Sequence, residues 1–372
     1  MPFPLSNLFN MTTKDDFKSA LKVNPGVEQP PAINSNIASR LKKNKRKLLD
    51  ADLYVQGILN RDISVLSQAI TLIESALPSH HELGQKVIER CLPHTGKSIR
   101  IGITGVPGVG KSTFIEALGG AITQAGGRLA VLAIDPSSER SKGSILGDKT
   151  RMETLCNDPN AFIRPSPSAG SLGGVARKTR ETIILCEAAG FDTIFVETVG
   201  VGQSETAVHS MVDFFLLLML AGAGDELQGI KRGIMEMADL IAITKADGQN
   251  VTKAQSARVQ YESALHLFPM PDSGWLPRVR TCSSVTKEGI NEVWEQILEY
   301  VEFTQQSSFF HKRRLEQAKY WMFQTITEAL KDDLFNNPQV KALIKATEQD
   351  VLADRISSFA AAKRILDFYK SI

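Results

Sequence analysis

Short, continuous runs of apolar residues recur along the middle of the chain and are separated by turn or helix signals. The runs cover residues 99–104, 129–134, 193–196, 214–220 and 240–243. Strands buried on both faces have this appearance, whereas strands with one wet face alternate between apolar and polar positions. The pattern therefore predicts an α/β fold with a mainly parallel sheet and helices on both of its faces.

Helical patterns flank this region. Asp62 stands before apolar residues at helical spacing, which predicts a capped amphipathic helix that Pro78 ends. A second helix is predicted over residues 79–91. We therefore divide the chain into a flexible N-terminal arm, an N-terminal helical segment, the α/β domain and a C-terminal helical segment, which cover residues 1–38, 39–95, 96–303 and 304–372.

The C-terminal segment carries an apolar stripe at helical spacing and a crowded last helix. The stripe consists of Leu315, Ala318, Met322, Ile326, Ala329 and Leu334, and the last helix holds Phe359, Ile365, Leu366, Phe368 and Tyr369. Such stripes mark burial without naming the partner. The pattern is compatible with helices that cover the α/β domain and with helices that meet another chain.

Charge gives little indication of a partner. The 43 basic and 41 acidic residues almost cancel, so bulk electrostatics provide no reason to expect nucleic-acid binding. Six of the eight residues at 40–47 are basic. This run is compatible with an RNA or membrane contact, but a solvated helix face is the favoured interpretation.

The cysteines and the apolar runs bear on the compartment. Cys91, Cys156, Cys186 and Cys282 are far apart and read as free thiols of a reducing compartment. The N-terminal residues show no signal-peptide or arginine-rich presequence pattern. The longest apolar run, residues 214–221, is far shorter than the roughly 20 residues that span a bilayer. We expect a cytoplasmic protein without membrane contact.

The clearest chemical signal is the stretch at residues 105–113, which fits G-x-x-x-x-G-K-[ST] between a predicted strand and a predicted helix. The glycines let backbone N–H groups face a phosphate chain, and we expect Lys111 to reach the β- and γ-phosphates and Ser112 to bind Mg²⁺. The alternative is a glycine-rich turn with a solvated lysine. The predicted nucleotide-binding residues of this loop are Gly105, Val106, Pro107, Gly108, Val109, Gly110, Lys111, Ser112 and Thr113.

Acidic residues follow the predicted strands on the same side as this loop. Asp135 comes directly after one apolar run and Glu197 after another, and Asp148 lies in the loop between them. A carboxylate at the end of a buried strand is costly unless it meets a cation. We therefore predict Asp135, Glu197 and Asp148 as ligands of Mg²⁺ or its water. The alternatives are a helix cap for Asp135, a solvated turn charge for Glu197 and a surface charge for Asp148.

The run Thr244-Lys245-Ala246-Asp247 resembles N-K-x-D, the guanine-reading element of GTPases. A carboxylate at the position of Asp247 can accept hydrogen bonds from two guanine N–H groups, and the stem of Lys245 can cover the base. Thr244 replaces the usual asparagine, which is expected to weaken the bracing of the loop more than the choice of base. Ser283 and Ser284 stand where GTPases place a second base-contacting loop.

Together these motifs make the chain similar to the MeaB/ArgK family of GTPases, bacterial relatives of the human methylmalonic aciduria type A protein. Four further unusual stretches carry the resemblance, which covers roughly residues 50–370. They are D-P-S-S at 135–138, G-S-I-L-G-D-K-T-R-M at 143–152, S-A-G-S-L-G-G at 168–174 and A-G-A-G-D-E-L-Q-G-I-K at 221–231.

The resemblance implies a P-loop GTPase domain that binds GTP or GDP with Mg²⁺ at Ser112, Asp135 and Glu197. It implies a chaperone of a cobalamin-dependent acyl-CoA mutase, of the methylmalonyl-CoA mutase type, which gates cofactor loading and protects the mutase. It further implies mobile switches around Asp148, residues 197–203 and residues 222–231, and a homodimer formed through the C-terminal arm.

We predict that the protein hydrolyses GTP slowly on its own and faster when a partner binds. Val201 occupies the position where many signalling GTPases hold a water-orienting glutamine, and no arginine lies in that turn. Lys231 ends a glycine-rich acidic loop and is the candidate to supply the missing charge; the alternative is a surface lysine. The predicted catalytic residues are Lys111, Asp135, Glu197 and Lys231.

Two other functions compete with this one. A nickel metallochaperone would use clustered histidine and cysteine ligands, and the six histidines and four cysteines form no such cluster along the sequence. A protein or amino-acid kinase would need a base beside an acceptor group, and no residue is identified for that role.

Overall fold

The fold is built on a seven-stranded sheet in which every neighbouring pair of strands is parallel. A computed structural model describes residues 48–75, 77–134, 152–165, 172–198, 204–222 and 232–372. The spatial order of the strands is β3-β2-β4-β1-β5-β6-β7. In chain order the strands are β1 (Ile99–Gly105), β2 (Leu129–Ile134), β3 (Ala161–Arg164), β4 (Thr193–Thr198), β5 (Phe214–Leu220), β6 (Leu240–Thr244) and β7 (Arg278–Thr281).

Helices surround the sheet and extend the chain at both ends. Those of the described residues are α1 (Ala51–Leu59), α2 (Ile63–Glu74), α3 (Pro78–Cys91), α4 (Lys111–Gln124), α5 (Glu153–Cys156), α6 (Leu172–Ala188), α7 (Ser204–His209), α8 (Arg232–Met237), α9 (Val251–Leu265), α10 (Ile290–Gln306), α11 (Phe309–Asn336), α12 (Pro338–Leu352) and α13 (Ser358–Ser371).

Each central strand contributes side chains to two separate cores. Phe214, Leu216 and Leu218 of β5 pack with side chains of α4 and α10, while Phe215 and Leu217 pack on the opposite face with α6 and α7. Alternation along a strand sends neighbouring side chains to opposite faces, so a strand buried on both sides must be apolar throughout. The predicted α/β fold, with a parallel sheet, helices on both faces and helical segments at each end, is confirmed.

Local differences from the predictions have simple causes. Asp62 caps α2 as predicted, because its carboxylate accepts from the N–H groups of Ser64 and Val65. However, α2 ends at Glu74, and Pro78 begins α3 instead of ending α2. Proline suits the first turn of a helix because its missing N–H would have no partner there. Strand β3 was not predicted, since four residues at a sheet edge carry little pattern.

The apolar stripe of the C-terminal segment does not cover the α/β domain, which was one of its two interpretations. Leu315, Met322 and Ile326 are 59%, 52% and 48% exposed, so this face of α11 does not cover the α/β domain. The opposite face of α11 meets the domain through Arg313, Arg314, Gln317 and Trp321. Residues 49–372 form one compact unit. The predicted arm at residues 1–38 and the basic run at 40–47 lie outside the described residues.

Among the described helices, none combines the length and the apolar character that crossing a membrane requires.

Candidate functional site

The loop between β1 and α4 curves around the side chain of Lys111. Gly110 caps α4 with φ of +95°, a left-handed conformation that is strained for any residue with a Cβ atom. The Lys111 ammonium donates to the carbonyl of Gly105 at 2.9 Å and approaches that of Val106 at 3.4 Å. Ser112 follows half-buried, while Thr113 is exposed. The Lys111 ammonium therefore lies inside the loop at the N-terminal end of a helix. The ammonium and the helix end both favour an anion at this place.

Ser112 and Glu197 place two oxygen donors beside this loop. The Ser112 hydroxyl lies 3.5 Å from a Glu197 carboxylate oxygen. Glu197 is only 5% exposed, because β4 continues through Thr198 and the carboxylate is held within the strand instead of after its end. A hydroxyl and a carboxylate are hard ligands, so this pair fits Mg²⁺. Asp135 and Asp148, the other predicted ligands, lie outside the described residues.

The electrostatics around Lys111 involve a carboxylate that the sequence did not single out. Burial lowers the pKa of Lys111, and the negative charges of Glu197 and Glu205 partly oppose this shift. Glu205 lies in the first turn of α7 and is 1% exposed. Its position two residues after the stretch 197–203 is a sequence signal that could have drawn attention to it.

A buried pair of hydroxyls joins the two strands that lead into the site. The Thr104 hydroxyl lies 2.8 Å from the Thr198 hydroxyl, one residue before Gly105 and one residue after Glu197. Both side chains are inaccessible to solvent. Hydrogen bonds between buried polar groups hold their elements in one relative position. The end of β1 is thereby fixed to the end of β4.

Thr244 contacts the phosphate-binding loop directly. Its hydroxyl lies 2.7 Å from the carbonyl of Val109 and 3.2 Å from that of Met219. A hydroxyl carries one donor hydrogen, so it can satisfy only one of these carbonyls at a time, whereas an asparagine amide has two. The shorter distance favours the bond to Val109. Compared with asparagine, threonine at position 244 therefore loses one hydrogen bond to the surrounding backbone. The contact between residue 244 and the phosphate-binding loop is retained.

The remaining residues of this corner form the predicted base-reading region. The Lys245 ammonium donates to the carbonyl of Gly108 at 2.8 Å, so its stem lies across the loop. The Ser283 hydroxyl donates to Asp247 and accepts from the N–H groups of Val285 and Thr286. Ser284, the second serine of the predicted pair, is half-buried. A carboxylate oxygen can accept two hydrogen bonds, so Asp247 keeps capacity for a ligand.

The predicted residues 105–113, 197, 244–247 and 283–284 thus meet at the carboxyl edge of one parallel sheet, the place where such sheets bind ligands. Lys231, the predicted catalytic lysine, lies outside the described residues. The fold and the loop geometry define a P-loop GTPase.

The chain belongs to the MeaB family: residues 66–339 match the family described as "Methylmalonyl Co-A mutase-associated GTPase MeaB". It is a GTP hydrolase that binds GTP and GDP, as its relatives named GTPases indicate. The resemblance inferred from the motifs is confirmed.

Comparison with individual proteins gives the same assignment. The chain is 44% identical over 308 residues to GTPase ArgK of Escherichia coli (strain K12), covering 83% of this chain and 93% of that one. It is 44% identical over 330 residues to the mitochondrial methylmalonic aciduria type A homolog of Mus musculus, covering 86% and 80%. The crystal structure of a LAO/AO transport system kinase matches 87% of this chain and all of that chain, with 37% identity and a TM-score of 0.69.

Proposed function

We propose that this GTPase is a chaperone of a cobalamin-dependent acyl-CoA mutase of the methylmalonyl-CoA mutase type, which gates cofactor loading and protects the mutase. The observation that carries the proposal is the match of residues 66–339 to a family described as mutase-associated. The mouse relative, named for methylmalonic aciduria, supports the same client class. Here GTP binding and hydrolysis are the switch, and the mutase is the partner.

The nucleotide is proposed to bind with its phosphates in the loop at residues 105–113 and its base beside Asp247. Lys111 would contact the β- and γ-phosphates, since its ammonium lies within the loop. Ser112 and Glu197 would hold Mg²⁺, with Asp135 and Asp148 as further predicted ligands. When bound, the ion offsets negative charge that develops on the phosphate oxygens. Thr244, Lys245, Ser283 and Ser284 would hold the loops against each other and the base.

The hydrolysis step is proposed to be slow until the mutase binds. Val201 cannot orient a water molecule, so the chain lacks a group that many GTPases use for catalysis. Lys231 remains the candidate for supplying the missing positive charge when a partner moves its loop. A charge of this kind is worth about 10³-fold or more in other GTPases.

Single-turnover hydrolysis of GTP tests both the partner and the lysine. We expect a cobalamin-dependent mutase from the same cell to accelerate hydrolysis by at least tenfold, and Lys231→Ala to remove that acceleration. Lys253→Ala, on helix α9, is the matched control and should keep it. Equal rates with and without mutase would exclude this partner, and full stimulation of Lys231→Ala would exclude the lysine.

The homodimer is proposed to form through the exposed face of α11. Leu315, Met322, Phe323, Ile326 and Leu330 share one side of this helix and are 48–59% exposed. Fully burying an exposed side chain of this kind is worth about 1.5–3 kcal/mol, and these five are already about half covered, so together they can contribute several kcal/mol to an interface. The second copy of the chain is the proposed occupant because the same face then covers itself across a twofold axis.

Charged substitutions on this face should separate the dimer. We expect Phe323→Glu with Ile326→Glu to give a folded monomer, because each carboxylate would be buried against apolar side chains. Light scattering after size-exclusion chromatography measures the mass. Val259→Glu replaces an equally exposed apolar residue on α9 and should leave the mass unchanged. A dimer that survives the double substitution would place the interface elsewhere.

Phosphotransfer is the competing function, because one similar structure carries the name of a kinase. Incubation with γ-labelled GTP and cell extract separates the two, since only a kinase moves label to another molecule.

The nickel alternative finds no support in the described residues, which contain no group of three histidine, cysteine or acidic residues placed to hold a metal. Free thiols at Cys91, Cys156, Cys186 and Cys282 support the proposed cytoplasmic location.

A further inference from the structure

One face of α11 is bonded to the segment that follows helix α7. The side-chain amide of Gln317 donates to the carbonyl of Val212 at 2.8 Å, and the indole N–H of Trp321 donates to the carbonyl of Ser210 at 2.8 Å. One turn earlier, the Arg313 guanidinium lies 3.1 Å from the His209 ring nitrogen. These three side chains are spaced four residues apart, so a single stripe of α11 makes all of the contacts.

Helix α7 rests directly on β1 at Gly102. A Cβ atom on Gly102 would lie 2.8 Å from Val208, too close for packed carbon atoms, and 3.1 Å from Val212, so a larger residue here would push α7 away from the strand. Gly102 stands three residues before Gly105, where the phosphate-binding loop begins. The first turn of α7 carries buried Glu205, whose charge acts on Lys111. The helix therefore connects the nucleotide end of the sheet to the joint with α11.

A six-residue helix does not hold its own position in water, since isolated helices shorter than about 12–15 residues are marginal. Its placement depends on tertiary contacts at both ends. At the C-terminal end, the carbonyls of Ser210 and Val212 lie beyond the helix and take their side-chain partners from α11. These two bonds add to the packing of Val208 and Val212 on β1 and hold the C-terminal end of α7 against α11.

We propose that Gln317 and Trp321 are positioning residues for GTP hydrolysis, which hold α7 and its Glu205 in register with the phosphate-binding loop. This role belongs to the chain's own GTPase activity and requires no mutase. It differs from a purely structural role in its expected effect. Loosening the joint should slow the hydrolysis step while leaving the pocket for the bound nucleotide intact, because neither side chain lies at the phosphate-binding loop.

The test uses the full-length protein with Gln317→Met and Trp321→Phe together. Both changes remove the donor N–H and keep most of the side-chain volume. We expect single-turnover hydrolysis to slow by about fivefold or more, as the loss of two hydrogen bonds from the transition-state arrangement would give. The dissociation constant for GDP should stay within twofold. Gln305→Met with Trp294→Phe, on helix α10, is the matched control and should hydrolyse at the wild-type rate.

A second measurement keeps the proposal testable if the double variant does not fold. In protein labelled with fluorotryptophan, the Trp321 resonance, assigned with the Trp321→Phe single variant, should shift between the GDP form and the form with a non-hydrolysable GTP analogue. The Trp294 resonance should not. An unchanged hydrolysis rate in the folded double variant would overturn the proposal, as would a GDP affinity that falls in step with the rate. A Trp321 resonance at the same position in both nucleotide forms would also overturn the proposal.

Discussion

The Asp247→Asn protein is expected to bind GTP about tenfold to over a hundredfold more weakly and to prefer xanthosine triphosphate. A carboxylate at this position accepts from two guanine N–H groups, and a hydrogen bond to a charged group is worth about 1.5–3 kcal/mol. Xanthine has a carbonyl where guanine has its amino group. An asparagine amide can donate to that carbonyl, which a carboxylate cannot.

Ser283 makes the direction of this change predictable. Its hydroxyl donates to one oxygen of Asp247 and must find an acceptor there in the variant as well. The asparagine will therefore turn its carbonyl oxygen toward Ser283 and its amino group toward the base. Removing the hydroxyl as well, in Asp247→Asn with Ser283→Ala, should weaken the preference for xanthine, because nothing then selects between the two amide orientations.

Calorimetry with GDP and xanthosine diphosphate measures both parts of this expectation. Asp272→Asn is the control, since Asp272 is an exposed carboxylate in the loop before β7 and should keep the guanine preference. If Asp247→Asn still prefers guanine, base recognition lies elsewhere in the protein.

The sequence located this site well where a motif dictates the backbone. The loop at residues 105–113 is such a case, because its glycines and its lysine are required by the geometry itself. Contacts between distant residues were beyond reach. Thr104 and Thr198 are 94 residues apart, and nothing in either local sequence indicates that their hydroxyls meet. The end of β4 was also misplaced: the apolar run ends at Val196, whereas the strand continues through Thr198, because strand ends read from a pattern are uncertain by a few residues.

For the fold, the apolar runs sufficed to predict five of the seven strands, because burial on both faces leaves few other patterns. They did not settle where the C-terminal stripe faces. A row of apolar residues on a helix indicates that this face is covered. The row looks the same whether the cover is another part of the same chain or a second chain. The side of α11 that meets the α/β domain is marked instead by Arg313, Arg314, Gln317 and Trp321, which are polar or amphipathic.

This polar attachment lies at the edge of the sheet opposite the nucleotide site. The Arg314 guanidinium donates to both oxygens of Asp213, at 2.8 and 2.7 Å, and to the carbonyls of Gly96 and Ser98. Asp213 in turn accepts from the backbone N–H of Arg100, in the strand that leads to the phosphate-binding loop. Although burial alone would lower it, the contacts with Asp213 hold the pKa of Arg314 above its ordinary value. The pair thus binds α11 to the beginning of β1.

Removing this cation should be among the most destabilising single changes in the chain. The Asp213 side chain is 2% exposed, so Arg314→Met would take away the guanidinium that pairs with a buried carboxylate. Breaking a buried pair in this way costs about 3–5 kcal/mol, far more than the pair contributes over an apolar replacement. We expect the free energy of unfolding in urea, measured at a fixed GDP concentration because bound ligand adds stability, to fall by about that amount.

Two further variants separate this cause from simple loss of packing. Arg355→Met breaks an exposed ion pair, in which the side chains of Arg355 and Asp350 are 62% and 31% exposed. This variant should lower the free energy of unfolding by less than about 1 kcal/mol. Asp213→Asn combined with Arg314→Met should recover part of the loss, because the buried charge is then gone while the amide can still pair with the backbone. If the double variant is as unstable as Arg314→Met alone, the contacts of Arg314 with Gly96 and Ser98 are what stabilise the joint. If Arg314→Met costs no more than Arg355→Met, this attachment of α11 contributes little to folding.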